Sequence, residues 1–224
     1  MRRICVFDVN ETLLDLSVLD TQFVRVFGDA GVRQTWFTQM LQNAFVATIT
    51  GPYRDFGQLG AAALDMVAAR RGVTMTPEEK HAILSEMRRL PPHPDTQEAL
   101  ARLQQAGLRL VTLTNSTAQV AEAQMVNAGL SGYFEQIFSA DAVQRLKPAP
   151  EPYQMVADRL GVGIGDLRLI AAHAWDIAGA LRVGCAAAFV ARPGMVLDPL
   201  AARPDVVGAD LHEVAERILE CEGS

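Results

Sequence analysis

The chain of 224 residues suits one large domain, or a core that carries an insertion. Half of its residues are hydrophobic and 21% are charged, the balance of a globular protein with ample core. Twenty Lys and Arg stand against 26 Asp and Glu for a net charge of −6, and with no basic stripe or polybasic tail, nucleic acid and anionic membrane surfaces are excluded as expected partners.

In chain order, residues 3–7 (RICVF) read as a buried strand. The basic start followed by apolar residues does not make a secretory leader, because Asp8 and Glu11 fall where a leader's apolar region lies. Other apolar runs stay far below the roughly 18 residues of a membrane span. From about residue 15 to residue 90 no strand-like run recurs, and apolar residues follow helical spacing, with Gly51-Pro52 and Gly72 as turns. Pro91-Pro92-His93-Pro94 is a rigid connector that cannot continue a helix. Beyond it, strands at 108–113, 136–138, 167–171 and 186–190 alternate with helices at 94–106, 117–128, 150–160 and 177–183. Gly107, Gly129, Gly161 and Gly184 close these helices, where a left-handed residue is favoured. The alternation predicts an α/β protein with a Rossmann-like parallel sheet. Its core is expected over 1–14 and 91–224, with a helical cap at 15–90 inserted after the first strand. Cys5 and Cys185 fall in strand-like runs and Cys221 in a terminal helical pattern. All three are expected to be buried thiols in a reducing cytosol, and the protein is expected to be cytoplasmic.

Parallel sheets bind ligands at the carboxyl ends of their strands, so the residues just after each strand are the candidates for chemistry. Asp8 follows the first strand and suits a nucleophile or a metal ligand, although a lone Asp there is usually a cap or turn residue. Thr114, Asn115, Ser116 and Thr117 open a helix, either as an anion-binding pole or as an ordinary N-cap. Lys147 precedes a helix that contains Tyr153, and can neutralise a carboxylate cluster or simply sit in a solvated loop. His173 and Asp176 are polar residues among alanines after the fourth strand; a single such His is more often structural than catalytic. Gly161-Val162-Gly163-Ile164-Gly165 precedes a strand and lacks dinucleotide-binding spacing, so it reads as a loop. Four His and three Cys show no metal-ligand spacing. Trp36, Phe37 and Phe56 read first as cap core and second as lining of a small apolar pocket.

In sequence order these segments form a pattern: FDVNETLLD, LTNST, ADAVQRLKPAPEPY and AAHAWD. The pattern resembles the haloacid dehalogenase-like hydrolase superfamily, and is most similar to its L-2-haloacid dehalogenase (type II) branch. The resemblance implies Asp8 as nucleophile, oriented by Thr12. It implies that Lys147 balances Asp8 and Asp176, and that Asp176 with His173 positions and activates the hydrolytic water. Thr114 and Asn115 hold the substrate carboxylate or the halide. Asn10, Ser116, Tyr153, Trp36 and Phe37 complete the expected binding set, with Tyr153 also supporting Lys147. The implied reaction is hydrolysis of short 2-haloacids (haloacetates, 2-halopropionates) to 2-hydroxy acids through an aspartyl ester. No cofactor and no metal are expected, the partner is a small halogenated carboxylic acid, and a homodimer is the implied assembly.

The sequence also departs from that family. Phe37 takes the place of an Arg that helps take up the halide, His173 the place of an Asn, and Ala171 the place of a Ser. Halide capture therefore passes to Asn115, His173 or cap groups such as Gln39 and Asn43. One alternative is a Mg²⁺-dependent phosphatase, disfavoured because Asn10 replaces the acid that protonates an alkoxide and Ala171, Ala172 and His173 replace oxygen ligands. The other is a non-catalytic binding protein on the same fold.

Overall fold

The computed structural model describes residues 2–222; the extremes of the predicted core, Met1 and Gly223-Ser224, lie outside the described residues. In chain order the elements are β1 (Ile4–Phe7), α1 (Asp20–Phe27), α2 (Val32–Thr50), α3 (Phe56–Arg71), α4 (Pro77–Glu86), α5 (Thr96–Gln105) and β2 (Leu110–Thr114). There follow α6 (Ala118–Asn127), β3 (Gln136–Ser139), α7 (Pro150–Leu160), β4 (Leu167–Ala171), α8 (Ala174–Val183), β5 (Ala186–Val190), β6 (Val206–Gly208) and α9 (Leu211–Glu222). The six strands form one parallel sheet in the order β3-β2-β1-β4-β5-β6.

β1 lies between β2 and β4, with Cys5 beside Leu110 and Val6 beside Leu169. Its side chains alternate between two cores, as the period of a strand demands. Cys5 and Phe7 join the core that reaches α5, α9 and the α1–α4 segment, and Ile4 and Val6 join the core beneath α7 and α8. Burial on both faces explains the apolar runs read from the sequence. The chain order reverses direction at β1, which brings the loops after β1, β2 and β4 side by side at one edge.

Between β1 and α5 the chain forms only helices and turns, apart from isolated bridges that include Leu14 with Pro92. The two passages are stitched together by Asp15 N–H to Pro91 O (2.8 Å) and His93 N–H to Leu13 O (2.9 Å). Arg192, just after β5, donates to Thr12 O (2.9 Å) and to Asp95 Oδ2 (2.6 Å), tying the loop after β1 to the start of α5.

Several local expectations need correction. The second strand starts at Leu110 rather than 108, because Leu108 N–H closes α5 by bonding Leu103 O. α8 starts at Ala174 rather than 177, since the N–H groups of Asp176 and Ile177 already bond His173 O. A turn through Gly28 separates α1 from α2, and the three-residue β6 carried no legible pattern. Cys5 and Cys185 are buried, with burial pushing both thiols up to about 12, but Cys221 is exposed on α9. A terminal helix packed on one face leaves its other face to solvent.

Gly179, inside α8, shows how closely α8 meets the segment carrying Lys147. A Cβ there would lie 2.7 Å from both Pro148 Cβ and Tyr153 Oη. Gly179→Ala is therefore expected to destabilise the fold by about 1–3 kcal/mol through overpacking, measured by urea unfolding. An unchanged midpoint would show that α7 and α8 separate freely.

Candidate active site

Lys147 is fully buried, and its ammonium lies between two carboxylates. Nζ donates to Asp8 Oδ1 (2.9 Å), to Asp176 Oδ2 (2.5 Å) and to the Leu113 carbonyl (2.8 Å). All three of its protons are thus used, as a buried ammonium requires. The residue is aimed by Asn115, whose Oδ1 accepts from Lys147 N (2.8 Å) and whose Nδ2 donates to Lys147 O (3.2 Å). The end of β2 thereby clamps the backbone that follows β3.

Asp8 is 5% exposed. Its second oxygen, Oδ2, accepts from Thr12 Oγ1 (2.7 Å) and faces His173 Nδ1 (3.2 Å). Thr12 Oγ1 in turn accepts from Ala172 N (3.0 Å), so the loop after β4 fixes its direction. The other ring nitrogen of His173 meets Glu11 Oε2 at 3.0 Å. Asp176 completes its shell through Tyr153, whose hydroxyl donates to Oδ1 (2.5 Å).

These contacts drive the carboxyl groups apart. Burial opposes the charge of Asp8, but Lys147 and the bonds from His173 and Thr12 outweigh it and hold the group well below the usual carboxylate range. Burial pushes Asp176 up, and the charge of Asp8 adds to that push against the pull of Lys147. Burial disfavours the charge of Lys147, yet Asp176 and Asp8 raise it above its ordinary value. Burial also works against a charged His173, but its bonds to Asp8 and Glu11 push it up to about 9.

The sequence-predicted residues fall into two groups. Asp8, Thr12, Lys147, Tyr153, His173 and Asp176 converge in this buried cluster. The expected binding groups are largely engaged elsewhere. Asn115 is taken up by Lys147, and Thr114 Oγ1 accepts from Ser116 N (3.2 Å). Asn10 donates to Ser116 Oγ (3.3 Å) and accepts from Gln124 (2.9 Å). Trp36 is buried with its indole N–H on the Gly60 carbonyl (2.9 Å), whereas the Phe37 ring lies 6.1 Å from that of His173. Gln39 and Asn43 bond each other (2.9 Å), and Gln39 also accepts from Arg70 (2.6 Å). Ser116 borders an apolar cleft of about 490 Å³ between α6 and the α1–α4 segment.

Two further residues join the cluster, Glu11 and Trp175. Glu11 lies three residues past Asp8, and only a backbone turn aims it back at the site. The Trp175 ring lies tilted 5.2 Å from that of His173, beneath Lys147, and its buried Nε1 has no hydrogen-bond partner among the described residues. Its place between His173 and Asp176 was the available signal.

The model of the haloacid dehalogenase-like hydrolases matches residues 3–184, and the chain belongs to that family. It is 30% identical to an (S)-2-haloacid dehalogenase of Xanthobacter autotrophicus over 198 residues, covering 86% of this chain and 76% of that one. It is 27% identical to haloacetate dehalogenase H-2 of Moraxella sp. (strain B) over 215 residues, covering 93% and 96%. Among solved structures, an L-2-haloacid dehalogenase from Xanthobacter autotrophicus with covalently bound chloropropionic acid superposes with a TM-score of 0.91. That pair is 25% identical and both chains are fully covered.

Removing the ammonium tests the electrostatics. Lys147→Met leaves two buried carboxylates facing each other, at an expected cost of about 3–5 kcal/mol at pH 7. In that variant Asp176 loses the pull of Lys147 and is pushed further above its ordinary range, so the cost is present at neutral pH and is relieved as acid protonates it. In the wild type the depressed Asp8 gives the opposite sign, with stability lost only as pH falls below about 5, into and beneath the usual carboxylate range. Urea unfolding at pH 7 and pH 5 reads the difference; an equal loss at both would overturn this account.

Proposed function

We propose that this protein hydrolyses short 2-haloacids, such as haloacetates and 2-halopropionates, to 2-hydroxy acids. The observation that carries the reading is the division between two carboxylates sharing one lysine: Lys147, His173 and Thr12 hold Asp8 ionised, and burial with the charge of Asp8 pushes Asp176 above its ordinary value. Such a pair separates nucleophile from base. An oxygen of Asp8 attacks the halogen-bearing carbon, and the carbon–halogen bond breaks with its electron pair leaving as halide. Water then attacks the carbonyl carbon of the resulting ester while Asp176 takes one proton. The ester C–O bond breaks, that proton passes to the departing alkoxide, and Asp8 loses the second proton to solvent.

His173 is assigned to this reaction as a cation, because both ring nitrogens face carboxylates and its pKa lies near 9. Proton removal therefore falls to Asp176. The buried Trp175 N–H, without a partner among the described residues, supports a role in anion binding. So does the first turn of α6, where the Thr117 N-cap makes no side-chain cap hydrogen bond among the described residues. The α1–α4 segment serves as the cap over Asp8, a reading supported by Phe37 at His173 and Arg33 at Glu11.

Mg²⁺ does not fit these residues. The Lys147 ammonium holds the position between Asp8 and Asp176 where a shared cation would lie, and neither Ala171 nor Ala172 supplies a side-chain oxygen. No group of three or more His, Cys, Asp or Glu suited to a metal occurs among the described residues. Asn10 has no acidic proton to give an alkoxide, which further disfavours phosphatase chemistry. Residence in the cytoplasm is part of the proposal and is supported by the buried free thiols of Cys5 and Cys185.

Single turnover in H₂¹⁸O, with enzyme in excess over 2-chloropropionate, tests the mechanism. The label should enter Asp8, and the first product should be unlabelled. Asp8→Asn should lose halide release by on the order of 10³-fold or more. Label appearing directly in the first product would mean that water attacks the substrate itself, and the ester mechanism would fall.

A further inference from the structure

Glu11 occupies a backbone conformation that side chains rarely adopt, with φ at +62°. Glycine is the residue suited to such a turn. A strained residue beside a nucleophile points to a function that the strain serves. The carboxylate has a specific destination: Oε2 meets His173 Nε2 at 3.0 Å, and Oε1 lies 3.6 Å from the guanidinium of Arg33. Arg33 in turn donates to Asp20 Oδ1 (2.5 Å). Charges thus alternate outward from the buried site, from Asp8 through His173, Glu11 and Arg33 to Asp20.

The groups around His173 leave it little choice of orientation. Phe37 and Trp175 flank its ring at 6.1 and 5.2 Å and carry no charge. Asp8 and Glu11 face its two nitrogens, Lys147 and Asp176 lie beyond Asp8, and Arg33 lies beyond Glu11. Behind Glu11, a cavity of about 310 Å³ brings His93 and Arg192 beside Glu11 and Arg33.

We propose that Glu11, backed by Arg33, is a positioning residue that fixes the His173 ring with Nδ1 turned to Asp8 and supplies the counter-charge a cationic ring needs. Asp8 Oδ1 is held by Lys147, and Oδ2 receives Thr12 and His173. With Oδ1 bonded to the substrate carbon, Oδ2 becomes the ester carbonyl oxygen. Negative charge develops on it as water attacks, and the His173 N–H stabilises that charge. This last role rests on the dehalogenase reading; the hold on His173 does not.

The experiment uses histidine-labelled full-length protein, with His173→Asn to assign the resonance. NMR titration without substrate is measured for the wild type, Glu11→Gln and Glu11→Gly. Both variants should lower the His173 midpoint from about 9 by one pH unit or more. Glu11→Gly relieves the backbone and should match or exceed the wild-type melting temperature, so it carries the test should Glu11→Gln fold poorly. With 2-chloropropionate, both variants should keep the first-turnover burst of halide. Their later turnover should fall about tenfold above pH 8, and the alkaline limb should move down with the His173 midpoint. An unmoved midpoint in both variants overturns the positioning role. A moved midpoint with an unchanged pH profile overturns the oxyanion role. Absence of halide release by the wild type counts against the dehalogenase reading alone, since the substrate-free titration still decides the hold on His173.

Discussion

A lysine ammonium removed from water must be surrounded by acceptors, and the rest of this site follows from how Lys147 meets that demand. Burial would otherwise expel its proton. Here Asp8, Asp176 and the Leu113 carbonyl take the three N–H bonds, and each comes from the end of a different strand or the helix after it. The ammonium therefore joins the carboxyl ends of β1, β2 and β4 into one cluster. A buried charge set of this kind is poor as a source of net stability, but it fixes geometry, because every member left alone would be uncompensated.

Precision at Lys147 comes from packing and backbone clamps rather than from the lysine's own flexible chain. Asn115 holds both the N–H and the C=O of Lys147, and Pro148 and the Tyr153 hydroxyl press against α8 at a position where only glycine leaves room. Tyr153 then reaches Asp176 on that same helix. α7 and α8 are consequently set by the same few atoms that set the carboxylates. The packing of the sheet's lower face and the chemistry at its edge are one constraint.

Environment also makes two similar acids unequal. Asp8 receives donors on both oxygens, including two cationic partners, whereas Asp176 is more deeply enclosed and lies within the field of Asp8. In the proposed reaction that inequality separates attack on the substrate from activation of water. The helical segment reaches the site chiefly through α2, whose Arg33 is in turn held by Asp20 of α1. Phe37 and Arg33, one turn apart on α2, meet the His173 ring and the Glu11 that faces it.

The sequence by itself determined the α/β class, the helical stretch between the first strand and the Pro-rich connector, and the convergence of Asp8, Thr12, Lys147, Tyr153, His173 and Asp176. The class and the helical stretch were legible because strands and helices have fixed periods, and a parallel sheet puts the residues after its strands, Asp8, Lys147, His173 and Asp176 among them, at one edge. That Thr12 and Tyr153 join them was implied by the resemblance of the motifs. What each polar atom does there was decided only by tertiary structure. Asn115, expected to face substrate, spends both its polar atoms on Lys147, 32 residues away, and Trp36 spends its N–H on Gly60. Glu11 became part of the site through a left-handed turn that its residue type disfavours and a partner 162 residues distant. β6 and the exposure of Cys221 likewise depended on which surfaces were already covered. Local pattern fixes where a side chain leaves the backbone; hydrogen-bond partners are assigned by competition among groups that meet only in the folded chain.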